Sequence, residues 1–238
     1  MWLVTGASRG IGRAIAERAL AQGGRVAIVA RSAELDDVAR ELGERCLACR
    51  ADVSDEAGMT AVVASVIARW GRLDTVVNNA GLHRGGRISR LTGEQWQSVV
   101  DTNLTGAMNT IRAAEPHLQA GGSIVNVGAV VGFRGFPGDS AYAASKAGLA
   151  GLTRALAIEL APKQVTVNLV IPGLVLTEMT GALSDKSLDA MRAIVPMARY
   201  GEAEEIAEVI GWVAQSRYMT GAFVPVDGGL MSSFGVPG

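Results

Sequence analysis

The chain has 238 residues, of which 49% are hydrophobic and 19% are charged, and its formal net charge is −1 at pH 7. This composition supplies a packed core and excludes a disordered chain, and an α/β chain of this length commonly folds as one unit, so we predict a single domain over residues 1–238. A near-neutral chain without a basic stripe argues against nucleic acid as a partner. No signal-peptide pattern opens the chain and no apolar run is long enough to span a membrane, so we expect a soluble, cytoplasmic protein without a membrane partner.

The chain alternates predicted strands and helices from its first residues. A short apolar strand at 3–4 leads into a glycine-rich turn and then into a helical pattern in which Ile11, Ile15 and Ala19 recur every four residues. Further strands are predicted at 26–30, 47–52, 73–77, 123–127, 165–171 and 223–226, and further helices at 34–42, 56–70, 94–118, 141–160 and 203–214. Because the strands are apolar on both faces, we predict an α/β fold of the Rossmann type, with a doubly wound parallel sheet and helices on both of its faces.

The stretch from Thr177 to Gly201 departs from this alternation. Its residues are poorly periodic and include methionines, which predicts an irregular segment. A segment of this length beside a site is typical of a mobile lid.

The two cysteines, Cys46 and Cys49, have the C-x-x-C spacing of some redox and metal sites. A closed zinc site needs two more ligands, and the only histidines, His83 and His117, are far away in sequence. In a strand, residues three apart lie on opposite faces and cannot form a disulfide. We therefore predict no metal site and no function for this pair.

The turn after the first strand carries the first candidate binding site. It reads Thr5-Gly-Ala-Ser-Arg-Gly-Ile-Gly12, and it stands between a strand and a helix, where glycines allow backbone amides to approach a pyrophosphate and the helix N-terminus adds partial positive charge. A dinucleotide site here, rather than a plain tight turn, would be lined by Gly6, Ser8, Arg9, Gly10, Ile11 and Gly12.

The end of the second strand bears on which dinucleotide is bound. An acidic residue there would accept hydrogen bonds from the ribose of NAD, but the residues present are Ala30, Arg31 and Ser32. Arg31 and Arg9 can instead offer a guanidinium to a 2′-phosphate. The sequence therefore favours NADP(H), with a solvated surface arginine as the alternative interpretation of Arg31.

Several motifs in order resemble the short-chain dehydrogenase/reductase family across essentially the whole chain. They are the glycine turn, Asp52-Val53, Asn78-Asn-Ala-Gly81, Asn103, Tyr142-Ala-Ala-Ser-Lys146, Asn168 with Pro172-Gly173, and Val226-Asp-Gly-Gly229. The resemblance implies that Tyr142 donates a proton, that Lys146 holds the nicotinamide ribose and lowers the pKa of Tyr142, and that Asn103 anchors a relay water. It also implies cofactor contacts from Asp52, Val53, Asn79, Ala80, Gly81, Pro172, Gly173, Val175 and Thr177.

The spacing of Tyr142 and Lys146 agrees with these roles. Residues four apart on a helix project from the same face. A free tyrosine titrates near pH ~10, so a neighbouring ammonium would bring the phenol towards neutral pH.

One position departs from the family pattern. The family has a serine that hydrogen-bonds the substrate carbonyl just after the strand at 123–127, and this chain has Ala129 there. Losing such a donor costs about 3 to 4 kcal/mol, which predicts impaired activity with intact cofactor binding. Three interpretations are open: an engineered replacement of serine that traps a complex, which the otherwise complete site favours; a naturally weakened reductase; or substitution by a neighbouring hydroxyl such as Ser140.

Within the family, the motifs and the segment Pro196–Gly201 look most like the β-ketoacyl-[acyl carrier protein] reductases, which implies reduction of a 3-oxoacyl thioester carried on that protein. The alternatives are a broad carbonyl reductase or secondary alcohol dehydrogenase and, in another class, a catalytically quiet NADP(H)-binding subunit. The family also implies a homo-oligomer, a dimer or tetramer. Arg84 and Arg87 could meet an acidic carrier protein but are more simply solvated, and His83 is interpreted as an ordinary loop histidine rather than a substrate contact.

Overall fold

The computed structural model describes residues 1–176 and 185–233, which build one parallel sheet of seven strands in the order β3-β2-β1-β4-β5-β6-β7. The strands are β1 Trp2–Thr5, β2 Val26–Ala30, β3 Cys46–Arg50, β4 Leu73–Asn78, β5 Leu118–Val127, β6 Thr166–Pro172 and β7 Phe223–Val226. The helices are α1 Gly10–Ala21, α2 Leu35–Leu42, α3 Glu56–Trp70, α4 Gly93–Val100, α5 Gly106–Ala114, α6 Val131–Arg134, α7 Ser140–Glu159, α8 Asp185–Ala193 and α9 Ala203–Gln215. The predicted Rossmann-type fold is confirmed.

Both faces of the sheet are buried because successive strand residues point to opposite sides. In β1, Val4 packs in one core cluster with residues of α1 and α9, whereas Leu3 packs in another with residues of α3 and α5. Both side chains are fully buried. This explains why the strands read as continuous apolar runs rather than as alternating ones.

The strand order also locates the site. β1 pairs with β2 on one side and with β4 on the other, so the chain reverses its direction of travel across the sheet at this point. In open α/β sheets, ligands bind beyond the carboxyl ends of the strands at such a reversal. The glycine turn after β1 and the Asn-Asn-Ala-Gly segment after β4 both lie at that edge.

The predicted helix at 94–118 is wrong in two places. Asp101–Thr105 forms a π-helical segment between α4 and α5, and the last α-helical residue is Ala114. A 3₁₀ turn over Glu115–His117 follows, since Pro116 has no backbone N–H to continue the α-helical hydrogen bonding. The next strand therefore begins at Leu118, earlier than predicted.

The stretch predicted to be irregular at 177–201 contains helix α8 over Asp185–Ala193, so that prediction is wrong for this part. The helix is tied back by Tyr200, whose hydroxyl donates to the carbonyl of Leu188 at 2.8 Å. Thr177 and the rest of 177–184 lie outside the described residues. The lid stays a prediction.

The two cysteines lie on opposite faces of β3, as predicted. Cys46 packs against the cluster that contains Val4, and Cys49 belongs to the one that contains Leu3. Both are free thiols, and burial raises the pKa of each to about 11. Across 1–176 and 185–233, no group of three or more His, Cys, Asp or Glu side chains is placed to hold a metal, and no helix is long and apolar enough to cross a membrane.

Candidate active site

The glycine turn is held in contact with the Asn79–Ala80 backbone. Gly6 has φ +66°, and a Cβ there would lie 2.7 Å from the Cα of Ala80. A Cβ on Gly12 would lie 2.2 Å from the carbonyl oxygen of Gly6. Both positions therefore require glycine, and α1 begins immediately within this turn at Gly10. The sequence predicts that this turn binds a pyrophosphate. The close approach of backbone at Gly6 and Gly12 is the feature that such a binding turn needs.

Asn79 and Ala80 also hold the glycine turn in place through hydrogen bonds. The Asn79 amide nitrogen Nδ2 donates to the carbonyls of Thr5 and Gly6, each at 3.0 Å. The backbone amides of Asn79 and Ala80 both donate to Thr5 Oγ1 at 3.1 Å. The Asn-Asn-Ala-Gly motif therefore locks the carboxyl ends of β1 and β4 together, which the sequence did not indicate.

Arg31 lies at the end of β2 as predicted, but it has a protein partner. Its Nη1 is 3.1 Å from Asp52 Oδ2, and its side chain is 63% exposed. Burial opposes ionisation of Asp52, but hydrogen bonds from Ser54 and then Arg31 outweigh it and lower the pKa of Asp52. The neighbouring Ser32 hydroxyl is buried without a hydrogen-bond partner among the described residues. An arginine–carboxylate pair and a buried serine hydroxyl thus lie at the end of β2, where the adenosine end is expected.

Tyr142 and Lys146 lie one turn apart on α7, as the spacing predicted. Lys146 Nζ is 5.7 Å from the centroid of the Tyr142 ring and donates to the carbonyl of Val127 at 2.8 Å. That bond fixes the ammonium at the carboxyl end of β5, next to the segment that carries Ala129. Lys146 is 3% exposed.

The expected lowering of the Tyr142 pKa is not found. Burial, and after it the Asp139 carboxylate, raise the pKa of Tyr142 to about 12, while burial lowers the pKa of Lys146 to about 8. The loss of solvation and the nearby negative charge both disfavour the phenolate. The phenol is therefore protonated at neutral pH, which is the state that can donate a proton.

Asn103 lies in the π-helical segment and is 2% exposed. Its Oδ1 accepts from the amide of Leu82 at 2.7 Å, and its Nδ2 donates to the carbonyl of Leu82 and to Ser145 Oγ, both at 3.0 Å. Asn103 thus connects the loop after β4 to α7. Because both amide hydrogens are in use, a relay water would need an oxygen of Asn103, so that role stays a prediction.

Ala129 lies half-buried between β5 and α6, two residues beyond the carbonyl that Lys146 binds. Its methyl group brings no hydroxyl to this position. Its carbonyl accepts from the amide of Gly132 at 3.0 Å, which starts the turn into α6.

The remaining motif residues shape the wall of the cleft after β6. A Cβ on Gly173 would lie 2.6 Å from the Cα of Asp227, and the Gly173 amide donates to the carbonyl of Val226 at 2.9 Å. Pro172 ends β6, and Val175 forms an isolated bridge with Gly201. The Pro-Gly and Val-Asp-Gly-Gly motifs are therefore neighbours in space. The contacts predicted for Pro172, Gly173 and Val175 stay predictions.

Sequence reasoning missed Asp139 and underrated His83. His83 Nε2 lies 2.8 Å from Asp139 Oδ1, and the imidazole meets the Tyr142 ring edge-on, with centroids 5.1 Å apart and an interplanar angle of 83°. The two residues are 56 positions apart in sequence, so no local pattern could have paired them.

Comparisons with known proteins cover nearly the whole chain. A family model described as enoyl-(acyl carrier protein) reductase matches residues 6–231. The 3-oxoacyl-[acyl-carrier-protein] reductase FabG of Staphylococcus aureus is 40% identical over 237 residues, which are 96% of this chain and 96% of that protein. The 3-oxoacyl-[acyl-carrier-protein] reductase of Mus musculus is 42% identical over 229 residues, covering 95% of this chain and 96% of that one.

A solved structure of a blue fluorescent protein from a metagenomic library in complex with NADPH superposes with a TM-score of 0.91 at 35% identity, covering 96% of each chain. The resemblance first carried by the sequence motifs is thereby confirmed, and this protein belongs to the short-chain dehydrogenase/reductase family.

Proposed function

We propose that this protein reduces a carbonyl group to an alcohol with NADPH, and that its substrate is a 3-oxoacyl group on acyl carrier protein. The observation that carries the proposal is the placement of Tyr142 and Lys146 on one face of α7, at the carboxyl edge of the sheet where the glycine turn also lies. The relatives named as 3-oxoacyl-[acyl-carrier-protein] reductases support the substrate.

The described residues fit NADP(H). Gly6 and Gly12 leave no room for side chains where backbone amides would face the pyrophosphate, and α1 directs its N-terminus there. The unpartnered Ser32 hydroxyl and the Arg31 guanidinium fit a 2′-phosphate. The phosphate would compete with Asp52 for the guanidinium, because Asp52 pairs with Arg31 in this structure. The structure of the related protein in complex with NADPH supports this choice. When bound, NADPH supplies the hydride.

The protein's part in the reaction is to hold the carbonyl and to move one proton. As the carbonyl carbon accepts a hydride, the Tyr142 hydroxyl would give its proton to the carbonyl oxygen, which would leave an alcohol and a phenolate on Tyr142. Solvent then returns a proton to Tyr142. The buried Lys146 ammonium stabilises the phenolate formed on the way, because a charge interaction is strong in a poorly solvated site.

Exposed apolar side chains favour an acyl substrate. Phe133 and Phe136 follow β5, and Leu176 follows β6, with exposed fractions of 38%, 52% and 45%. Loops that leave the carboxyl ends of neighbouring strands surround the same crevice, so these side chains are available to a fatty chain. Arg84 and Arg87 on the exposed loop after β4 are available to an acidic carrier protein.

Ala129 makes the site a weak catalyst under this proposal. Tyr142 is left to donate to the developing oxyanion without the hydroxyl that the family has beside it. We do not expect Ser140 to restore that donor, because it lies two residues before Tyr142 at the start of α7 and positions two apart on a helix do not face the same way. Its hydroxyl is nevertheless buried without a hydrogen-bond partner among the described residues. An engineered replacement and a naturally weakened reductase both predict the same gain when serine is introduced.

The test is NADPH consumption by the chain as given and by Ala129→Ser, with an acetoacetyl thioester and with ketones that lack a thioester. We expect Ala129→Ser to raise kcat on the thioester about a hundredfold or more, with the Kd for NADPH unchanged. Ala129→Gly is the matched control, since it alters the same position without adding a hydroxyl, and it should give no gain.

Equal rates in the parent and Ala129→Ser proteins would contradict the role given to position 129. Ketones turned over as well as the thioester would support the broad carbonyl reductase instead. NADPH binding without turnover in both proteins would support the catalytically quiet subunit.

A further inference from the structure

The imidazole of His83 is the aromatic neighbour of the Tyr142 ring. Its edge-on contact, with centroids 5.1 Å apart, places a titratable group against the residue that gives the proton. The proton transfer described above uses neither His83 nor Asp139. Their contact with Tyr142 nevertheless makes them part of the site.

The imidazole is held from two sides. On its own loop, the preceding residue Leu82 is clamped through its amide and its carbonyl by Asn103. From the residue just before α7, the Asp139 carboxylate, whose side chain is only 15% exposed, binds His83 Nε2. The two loops are tied again where the Gly86 amide donates to the carbonyl of Gly138 at 2.8 Å. A loosely solvated loop histidine would lack these constraints.

We propose that His83 and Asp139 form a positioning pair for Tyr142, in which Asp139 holds the imidazole, the imidazole holds the phenol ring, and the charge of the pair sets the pH range in which Tyr142 gives rather than takes a proton. This proposal rests on the proposed reductase function, because it concerns the proton that Tyr142 supplies.

The charges that face Tyr142 from the surrounding elements give the pair its effect. Asp139 precedes α7, Lys146 follows one turn later on the same helix, and His83 comes from the loop after β4, where the exposed Arg84 and Arg87 also lie. With His83 protonated, the pair is neutral as a whole. When His83 loses its proton, the Asp139 carboxylate is left uncompensated and holds the proton on the phenol more strongly.

The direction of each pKa agrees with this arrangement. The hydrogen bond from Asp139 raises the pKa of His83 above 6.5, although burial opposes it, and Asp139 contributes to raising the pKa of Tyr142. Above the pKa of His83, the pair therefore keeps Tyr142 in its protonated form, which is the form that carbonyl reduction starts from. It disfavours the phenolate that alcohol oxidation requires.

Asp139→Asn separates charge from geometry, because asparagine keeps the shape and an acceptor oxygen for His83. We expect this variant to oxidise a 3-hydroxyacyl thioester several-fold faster near pH 8, because removing the Asp139 charge lowers the pKa of Tyr142 and so raises the phenolate fraction. Its kcat for reduction near pH 6 should change little, and KM should stay the same in both directions. A loss in both directions with an unchanged pH profile would mean a merely structural role and would overturn the proposal.

A second readout does not depend on turnover. The chain has two histidines and three tyrosines, so selective ¹³C labelling of each type gives few signals, which the variants His83→Gln and Tyr142→Phe assign. We expect the Tyr142 ring signal to shift at the pH where His83 titrates, and this step to vanish in His83→Gln but persist in the control His117→Gln. A Tyr142 signal that ignores the titration of His83 would overturn the pair. If the Tyr142 signal follows the titration of His83 but the protein reduces no carbonyl, the reductase function is contradicted and the positioning pair is supported.

Discussion

At the scale of a single residue, Lys146 is a buried charge that lowers the stability of the folded protein. The residue is 3% exposed and the hydrogen-bond partner of its ammonium is a neutral carbonyl, so the charge is poorly compensated. Burial lowers the pKa of Lys146 to about 8 from the 10.5 of a free side chain. Buried charges of this kind persist in proteins where function needs them, at the expense of folding stability.

We predict that Lys146→Met raises the free energy of unfolding at pH 7 while abolishing turnover. The pKa of Lys146 is lowered in the folded state, so below pH 8 the folded protein carries the whole penalty of the buried charge, on the order of 3 kcal/mol before the lost hydrogen bond to Val127 is subtracted. Between pH 8 and 10.5 the unfolded state binds more protons, and the penalty is lost as the pH rises. Urea unfolding at pH 7 and at about pH 10.5 measures this, and a variant less stable than the parent at pH 7 would contradict the poorly compensated charge.

At the scale of single elements, the glycine turn is the most constrained part of the cleft. A Cβ on Gly12 meets the carbonyl oxygen of Gly6 and the side chain of Asn79, which itself binds Thr5 and Gly6. Nothing in that contact can move without shifting the end of β1. Other glycines of the chain, such as Gly151 on α7, have open space where a Cβ would stand.

We predict opposite effects for two glycine-to-alanine substitutions. Gly12→Ala should weaken NADPH binding at least tenfold and lower the Tm, because the turn must open to admit the methyl group. Gly151→Ala, the matched control, should leave NADPH binding unchanged and stabilise the protein by up to about 1 kcal/mol, the helix preference of alanine over glycine. Fluorescence titration with NADPH and thermal unfolding measure both effects, and equal NADPH affinity in the two variants would contradict the turn's role.

Periodicity predicted the elements well where the sheet buries them and less well elsewhere. The apolar runs of β2 and β4 and the helices α3 and α9 fall within one residue of their predicted bounds, because burial on the sheet enforces the pattern. The π-helical segment at Asp101–Thr105 leaves no signature in hydrophobic spacing, and Pro116 was passed over as a helix stop. Helix α8 rests on few apolar residues, and so its stretch was read as irregular.

The site as a whole could be predicted only where motifs carry it. The glycine turn is recognisable from residue type and position, whereas Tyr142, Lys146 and Asn103 were indicated by the resemblance to the family, and the structure connects Asn103 and Lys146 to α7 and Tyr142. The pairing of Arg31 with Asp52 and of His83 with Asp139 depends on loops that meet only in three dimensions. The direction of the Tyr142 pKa could not be read from the sequence either, because burial of the ring, which only the fold produces, is its largest cause, ahead of the Asp139 carboxylate.

The assembly of the whole molecule stays a prediction. Ile158 on α7 and Trp96 on α4 are 78% and 37% exposed, and apolar side chains on exposed helices are consistent with the expected homo-oligomer. Light scattering would give the number of chains directly.

The central claim is that hydride from NADPH and a proton from Tyr142 meet on one carbonyl group. The most direct measurement follows deuterium from the nicotinamide C4 of labelled NADPH into an acetoacetyl thioester, by mass spectrometry of the product, for Ala129→Ser and for the same protein with Tyr142→Phe added. The account predicts one deuterium on the carbon that bears the new hydroxyl, and a loss of almost all product when Tyr142 is replaced. Product without deuterium, or product formed equally fast without the phenol, would contradict it.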